Sequence, residues 1–213
     1  MNKRKSSSRP EKRSQPDYQE GLGLERIIFF SDAVFAIAIT LLVLEIRLPV
    51  GEDILEDFQL FAQLKSMWHE YLAYLISFMV IGTFWIAHHR KFRYIRRYDH
   101  RLMILNLLYL MVIAFIPFPS SIISQYPGPT ATTVYALTMV LAGLLLAAIW
   151  WYASHGGHLI DPDLKASTLR REYIAPLVTA GIFLISIGVA FLDAGISRVV
   201  WLLILVSSWY AYR

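Results

Sequence analysis

A chain of 213 residues that is 56% hydrophobic and 17% charged, with a mean hydropathy of +0.48, holds more apolar material than a water-soluble domain buries, since such domains are about a quarter charged. The lack of cysteine excludes a disulfide-stapled secreted domain and a thiolate metal site. The net charge of +4 does not point to nucleic acid, because the basic residues flank apolar segments.

Residues 1–25 are polar and rich in Lys, Arg and Ser, which predicts a solvated, disordered, basic tail on the cytoplasmic side. The tail is no secretory signal, because the apolar stretch behind it is too long and lacks a small-residue cleavage site. Residues 26–213 form the membrane domain. It contains six apolar stretches, at 27–48, 67–87, 102–124, 131–153, 173–192 and 196–212. Each approaches the length that about 30 Å of hydrocarbon demands of a helix. Of the 20 Lys and Arg residues, 17 fall before the first stretch, between the second and third, between the fourth and fifth, or at the end. Arg47, Lys65 and Arg198 lie on the opposite side, together with the acidic Glu52, Asp53, Glu56 and Asp57. The positive-inside rule therefore predicts an all-α integral membrane protein with six transmembrane helices and both termini in the cytoplasm. No internal repeat supports an inverted-repeat transporter.

The first stretch carries Asp32 about one turn inside its cytoplasmic end, where an unpartnered carboxylate costs about 3 kcal/mol. Arg26, His88, His89 and Asn106 are its expected partners, in a hydrogen-bonded brace between helices. Further along, Ile37, Leu41, Leu44 and Leu48 fall within about 60° of one another on a helix, Thr40 lies about 60° to one side, and Asp32 is about 140° from Ile37. Such a stripe on one membrane helix faces lipid or packs against a neighbour. A ring of such helices makes a hydrophobic constriction that gates by dewetting. Composition leaves both readings open.

Pro117 and Pro119 are expected to kink or end the third span. His88 and His89 point about 100° apart and match no zinc spacing. His155-Gly156-Gly157-His158 reads as a turn. No metal is expected at either place. The chain has no Thr-Val-Gly-Tyr-Gly filter (Thr133-Val134-Tyr135 lacks the glycines), no arginine-repeat voltage sensor, no phosphate loop and no nucleophile elbow.

The run Arg26-x-x-x-Phe30-Ser31-Asp32, with Ile37 and Thr40 behind it, resembles the signature that opens the first helix of the transmembrane protein 175 potassium channels. The likeness extends to Trp85 with His88 and His89, and to Asp99 with Leu105 and Asn106. It implies a channel, not an enzyme, that needs no cofactor beyond permeant potassium. The prokaryotic members of that family carry one six-helix unit and form homotetramers whose first helices surround the pore. Carried over to this chain, the constriction falls on Ile37, with further rings at Leu41 and Leu44. The cation-selecting hydroxyl falls on Thr40. Arg26, Phe30, Ser31, Asp32, His88, His89 and Asn106 brace the pore helix. Modest potassium selectivity is implied, in a homotetramer whose partners are its own copies, the lipid bilayer and potassium ions, with no nucleic acid. The resemblance alone points to a prokaryotic plasma membrane. The alternative from another class is a proton-coupled transporter or proton leak through Asp32 and the nearby histidines. A metalloenzyme built on His88, His89 and His100 is a third.

Overall fold

The computed structural model describes residues 15–48, 57–126, 128–157 and 159–201, and among these the chain is α-helical. Five segments are long and apolar enough to cross a membrane: Gly21–Glu45, Trp68–Tyr94, His100–Gln125, Pro129–Ser154 and Ala166–Ala190. The segment expected as a sixth span lies mostly outside the described residues. Its start is visible as a short helix, Ala194–Val200.

Helix α1 runs Gln15–Leu41 and tightens into a 3-10 turn at Leu42–Glu45. The expected tail thus needs correction over 15–25, which continue the spanning helix toward the N-terminus. Residues 1–14 lie outside the described residues. The reason is cooperative: once the apolar span is helical, each added residue costs no new nucleus, and Pro16 suits a helix start.

Helix α2 (Asp57–Ser66) precedes α3 (Trp68–Tyr94), separated from it only by Met67. The third span breaks at Ile116 into α4 (His100–Phe115) and α5 (Pro117–Gln125), with Pro117 opening the second piece. Its missing N–H and fixed φ suit the first turn of a new helix. Helices α6 (Pro129–Ser154), α7 (Ala166–Ala190) and α8 (Ala194–Val200) complete the described chain.

Helix α6 is the centre of the fold. Tyr135, Met139, Leu146 and Trp150 on it are fully buried. Its partner α7 approaches so closely at Gly143 that a Cβ there would lie 2.9 Å from the Pro176 carbonyl oxygen and 3.0 Å from the Ala180 Cβ. Small residues at such a crossing let backbones meet and gain dispersion contacts that lipid tails cannot match. Ser77 on α3 ties in α5 and α6 through Ser120 (2.7 Å) and the Tyr135 hydroxyl (3.1 Å).

At the end of α3 the two connectors expected in the cytoplasm lie side by side. Ile95 and Ile160 form an antiparallel bridge, the Arg96 N–H donates to the Leu159 carbonyl at 2.7 Å, and the Arg96 guanidinium meets Asp161 at 3.0 Å. Asp99 caps α4 by accepting the Leu102 N–H, and it also accepts the Tyr152 hydroxyl. His155 to Gly157 form a turn, with positive φ at Gly156 and Gly157. His158 lies outside the described residues.

Candidate functional site at the first helix

The inward face of α1 carries Ser31, Phe35 and Ala38, all buried, and Leu42 at the start of the 3-10 turn is buried beyond them. Ser31 Oγ donates to the Ile27 carbonyl one turn back (2.8 Å) and accepts from Asn106 Nδ2 on α4 (3.0 Å). Asn106 Oδ1 in turn accepts from His88 Nε2 on α3 at 2.9 Å. All three side chains are almost fully buried. The His88 ring stacks on Tyr109 (interplanar angle 7°) and on Phe92, with Phe35 of α1 5.7 Å away. One polar chain thus joins three helices inside an apolar shell. A buried polar group left without its partner costs about 1–3 kcal/mol, so this chain fixes how α1 is rotated.

Asp32 does not join that network. Its Oδ1 accepts the indole N–H of Trp85 at 2.8 Å, and Trp85 lies against the His89 ring, with centroids 5.6 Å apart. This corrects the expected partners: neither His88, His89, Asn106 nor Arg26 holds the carboxylate. The reason is rotational. Ser31 and Asp32 are adjacent and so point about 100° apart; once Ser31 faces Asn106, Asp32 is carried toward the rim of α3. Arg26, Phe30 and His89 are exposed and stand outside the buried network.

The same rotation turns the apolar stripe away from the chain's own core. Ile37 is 58% exposed, Leu41 40% and Leu44 60%. Thr40 is exposed beside them and donates its hydroxyl to the Ile37 carbonyl at 2.9 Å, so the lone pairs of Oγ1 stay available. Leu48 lies beyond the 3-10 turn and so drops out of the helical register. Only 22% of the most apolar window of this span is buried, the lowest share of the five and far below the 56% of α6.

Sequence reasoning passed over one cluster. Glu172 at the start of α7 is fully buried and meets Arg90 Nε at 2.7 Å and the buried Lys91 Nζ at 3.1 Å. The available signal was an acid inside a run that continues into an apolar helix. Its partner Lys91 is 81 residues away and Arg90 stands beside it, a pairing that no spacing predicts. Among the described residues no three metal-ligating side chains converge.

Comparison with known proteins shows the family of the chain. Residues 26–117 match the family described as the endosomal/lysosomal potassium channel TMEM175. A potassium channel of Streptomyces collinus is 40% identical over 174 residues, which are 79% of this chain and 83% of that one. The human endosomal/lysosomal proton channel TMEM175 is 29% identical over 167 residues, 77% of this chain but 32% of that much longer protein. The crystal structure of a lysosomal potassium-selective channel TMEM175 homolog from Chamaesiphon minutus superposes with a TM-score of 0.78 at 32% identity, over 90% of this chain and 99% of that one. With its apolar spanning helices and a likeness that runs through the first-helix residues, the chain belongs to the TMEM175 family as a prokaryotic member: an integral membrane cation channel, and not an enzyme.

Proposed function

We propose that the protein is a potassium-selective channel of modest selectivity that works as a homotetramer in the bacterial plasma membrane, with six spans per chain and both termini cytoplasmic. Four first helices surround the pore. The observation that carries this reading is the two-sidedness of α1: one face is locked into its own chain through Ser31, while Ile37, Leu41 and Leu44 are left uncovered. A stripe that only faced lipid would need no buried polar brace to hold its rotation.

Ile37 forms the tightest ring, with Leu41 and Leu44 as wider rings beyond it. Four Ile37 side chains exclude water, and a hydrated ion does not cross until the helices rotate or move apart. Thr40, one turn further, offers its hydroxyl oxygens to a partly stripped cation. Potassium sheds water more readily than sodium, so few weak ligands give a modest preference. Ser31, Asn106 and His88 hold the helix that carries these rings. Arg26, Phe30, Asp32 and His89 act from its cytoplasmic end.

A second reading draws on the exposed Asp32–Trp85–His89 arrangement and on the proton channel among the relatives: protons pass by a relay through Asp32. Purified protein in planar bilayers, with potassium on one side and sodium on the other, separates the two. Unitary currents reversing toward the potassium equilibrium potential support the selective pore. Flux that follows only a pH gradient and vanishes in Asp32→Asn supports the relay and removes the potassium reading.

A further inference from the structure

A groove of about 490 Å³ opens between the cytoplasmic ends of α1 and α4. Its floor exists because residue 23 is glycine: a Cβ there would lie 2.0 Å from the Tyr98 hydroxyl, so the tyrosine ring lies directly against the α1 backbone. The two ends of the groove differ in chemistry. Arg26 and His100 stand exposed at its outer end, and among the described residues no carboxylate pairs with either. Toward the membrane interior the walls are Phe30, Met103, Ile104 and Leu107, all exposed. From His100 to Leu107 the helix rises about 10 Å, from headgroup depth into the acyl region.

Cationic at the membrane surface and apolar below, this order mirrors a phospholipid. We infer that the groove binds one anionic phospholipid of the inner leaflet per chain. Its phosphate is held by Arg26 and His100, and its acyl chain lies along Phe30, Met103, Ile104 and Leu107. A second copy is a poorer occupant. It would enter parallel to the first, and the cytoplasmic rim of every copy carries the exposed Arg93, Arg97 and Arg101. Like charge would then meet Arg26, whereas a phosphate complements it.

The inference rests on the membrane placement and sidedness of the proposed channel, and not on its pore. The test is native mass spectrometry of the purified assembly after incubation with equal amounts of phosphatidylglycerol and phosphatidylcholine, with bilayer currents recorded on the same preparation. We expect about one phosphatidylglycerol per chain, and a preference over phosphatidylcholine that falls about fivefold in Arg26→Gln, the factor one basic residue contributes at an anionic surface. Ile104→Trp fills the groove and should abolish retention of that lipid while circular dichroism stays helical. Equal retention of both lipids, or undiminished phosphatidylglycerol in Ile104→Trp, overturns the site. The chain has no cysteine, so Leu107→Cys gives a single thiol. It should react with a membrane-soluble maleimide before lipid is added and be protected afterwards. Protection before any lipid is added means that a second copy covers the groove, and it too overturns the inference. A protein that conducts potassium but shows no lipid preference loses this site alone; one that retains the lipid but stays electrically silent keeps the site and loses the pore.

Discussion

Helices α1 and α6 are similar in length and hydropathy, yet they end up in opposite surroundings. Helix α6 spends its apolar residues on its own chain: Tyr135, Met139, Leu146 and Trp150 are enclosed, and Gly143 lets α7 press against it. Helix α1 encloses one face and leaves the other bare, with Ile37 and Leu44 more than half exposed. In lipid, an uncovered apolar face carries no penalty, so exposure alone would say little. Both helices carry buried polar ties, Tyr135 to Ser77 on α6 and Ser31 to Asn106 on α1. What separates α1 is that the face opposite its tie stays bare, so the tie sets which side chains are left uncovered. The difference assigns the two helices separate work: α6 and α7 form a closely packed post, and α1 is a rod held on α3 and α4 at a set angle.

The largest break in that comparison comes from the post. Glu172→Ala leaves Lys91 buried with no counter-charge and removes the link between α3 and α7, and the loss of one partner from a buried ion pair costs about 3–5 kcal/mol. A thermal unfolding scan in detergent should show a drop of many degrees, with little folded assembly recovered; a midpoint unchanged from wild type would deny the cluster any structural weight. Next comes the brace of the rod. Asn106→Ala leaves His88 Nε2 without its partner, at about 1–3 kcal/mol for an unsatisfied buried group, and cuts Ser31 off from α4, although the Ser31 hydroxyl keeps its bond to the Ile27 carbonyl. The comparison sharpens if this variant also alters open probability, because α1 then loses its fixed rotation. A variant that is destabilised yet gates normally would show that Ser31 does not set the angle.

On the exposed face the expected pattern reverses, with function changing while stability holds. Ile37→Asn puts an amide where water was excluded, so conductance should rise and potassium preference should erode, while the unfolding midpoint moves by no more than surface substitutions usually cause, about 0.5 kcal/mol. Unaltered currents would take Ile37 out of the pore. Thr40→Val keeps shape but removes the hydroxyl, and should shift the reversal potential toward zero under potassium–sodium conditions without lowering the yield of assembled protein. A reversal potential equal to wild type would leave Thr40 as a helix residue that only donates to the Ile37 carbonyl.

Much of this was legible before any coordinates. Segment length and hydropathy marked the five described spans, because hydrocarbon thickness constrains each helix separately. The stripe at Ile37 and Leu41 is legible from periodicity; Leu44 stays exposed beside it although it already sits in the 3-10 turn, and Leu48 lies past that turn, outside any helix. The partner of Asp32 is not legible in the sequence. Four polar residues at similar depth were candidates, and only the joint rotation of α1 and α3 selects Trp85. The Glu172 cluster was missed because its members come from α3 and α7, a pairing that no local spacing encodes. The helical start at Gln15 was missed because composition describes isolated segments, and helix propagation depends on what lies next in the chain.

The smallest expected effect lies in the contact between connectors. Asp161 accepts two N–H groups of the Arg96 guanidinium at 3.0 and 3.3 Å and the Asp163 backbone N–H at 3.2 Å. These bonds, the Arg96 one foremost, hold its carboxyl below the ordinary value of 3.8. A carboxyl with a depressed folded-state pKa contributes stability that is present above its unfolded value and lost as pH falls through its folded one. The contribution is therefore constant from pH 5 to 8 and disappears only below about pH 4, near the carboxylate's reference value. Because the pair is solvent-exposed, salt screens it and its weight is small. Asp161→Asn should lower the unfolding midpoint slightly at pH 6 and low ionic strength, and the gap from wild type should narrow as pH falls below about 4 and shrink in high salt. A gap that neither narrows with falling pH nor shrinks in salt would mean that the connectors are held by the Ile95–Ile160 bridge and the backbone bonds around it, with the side-chain charges as bystanders.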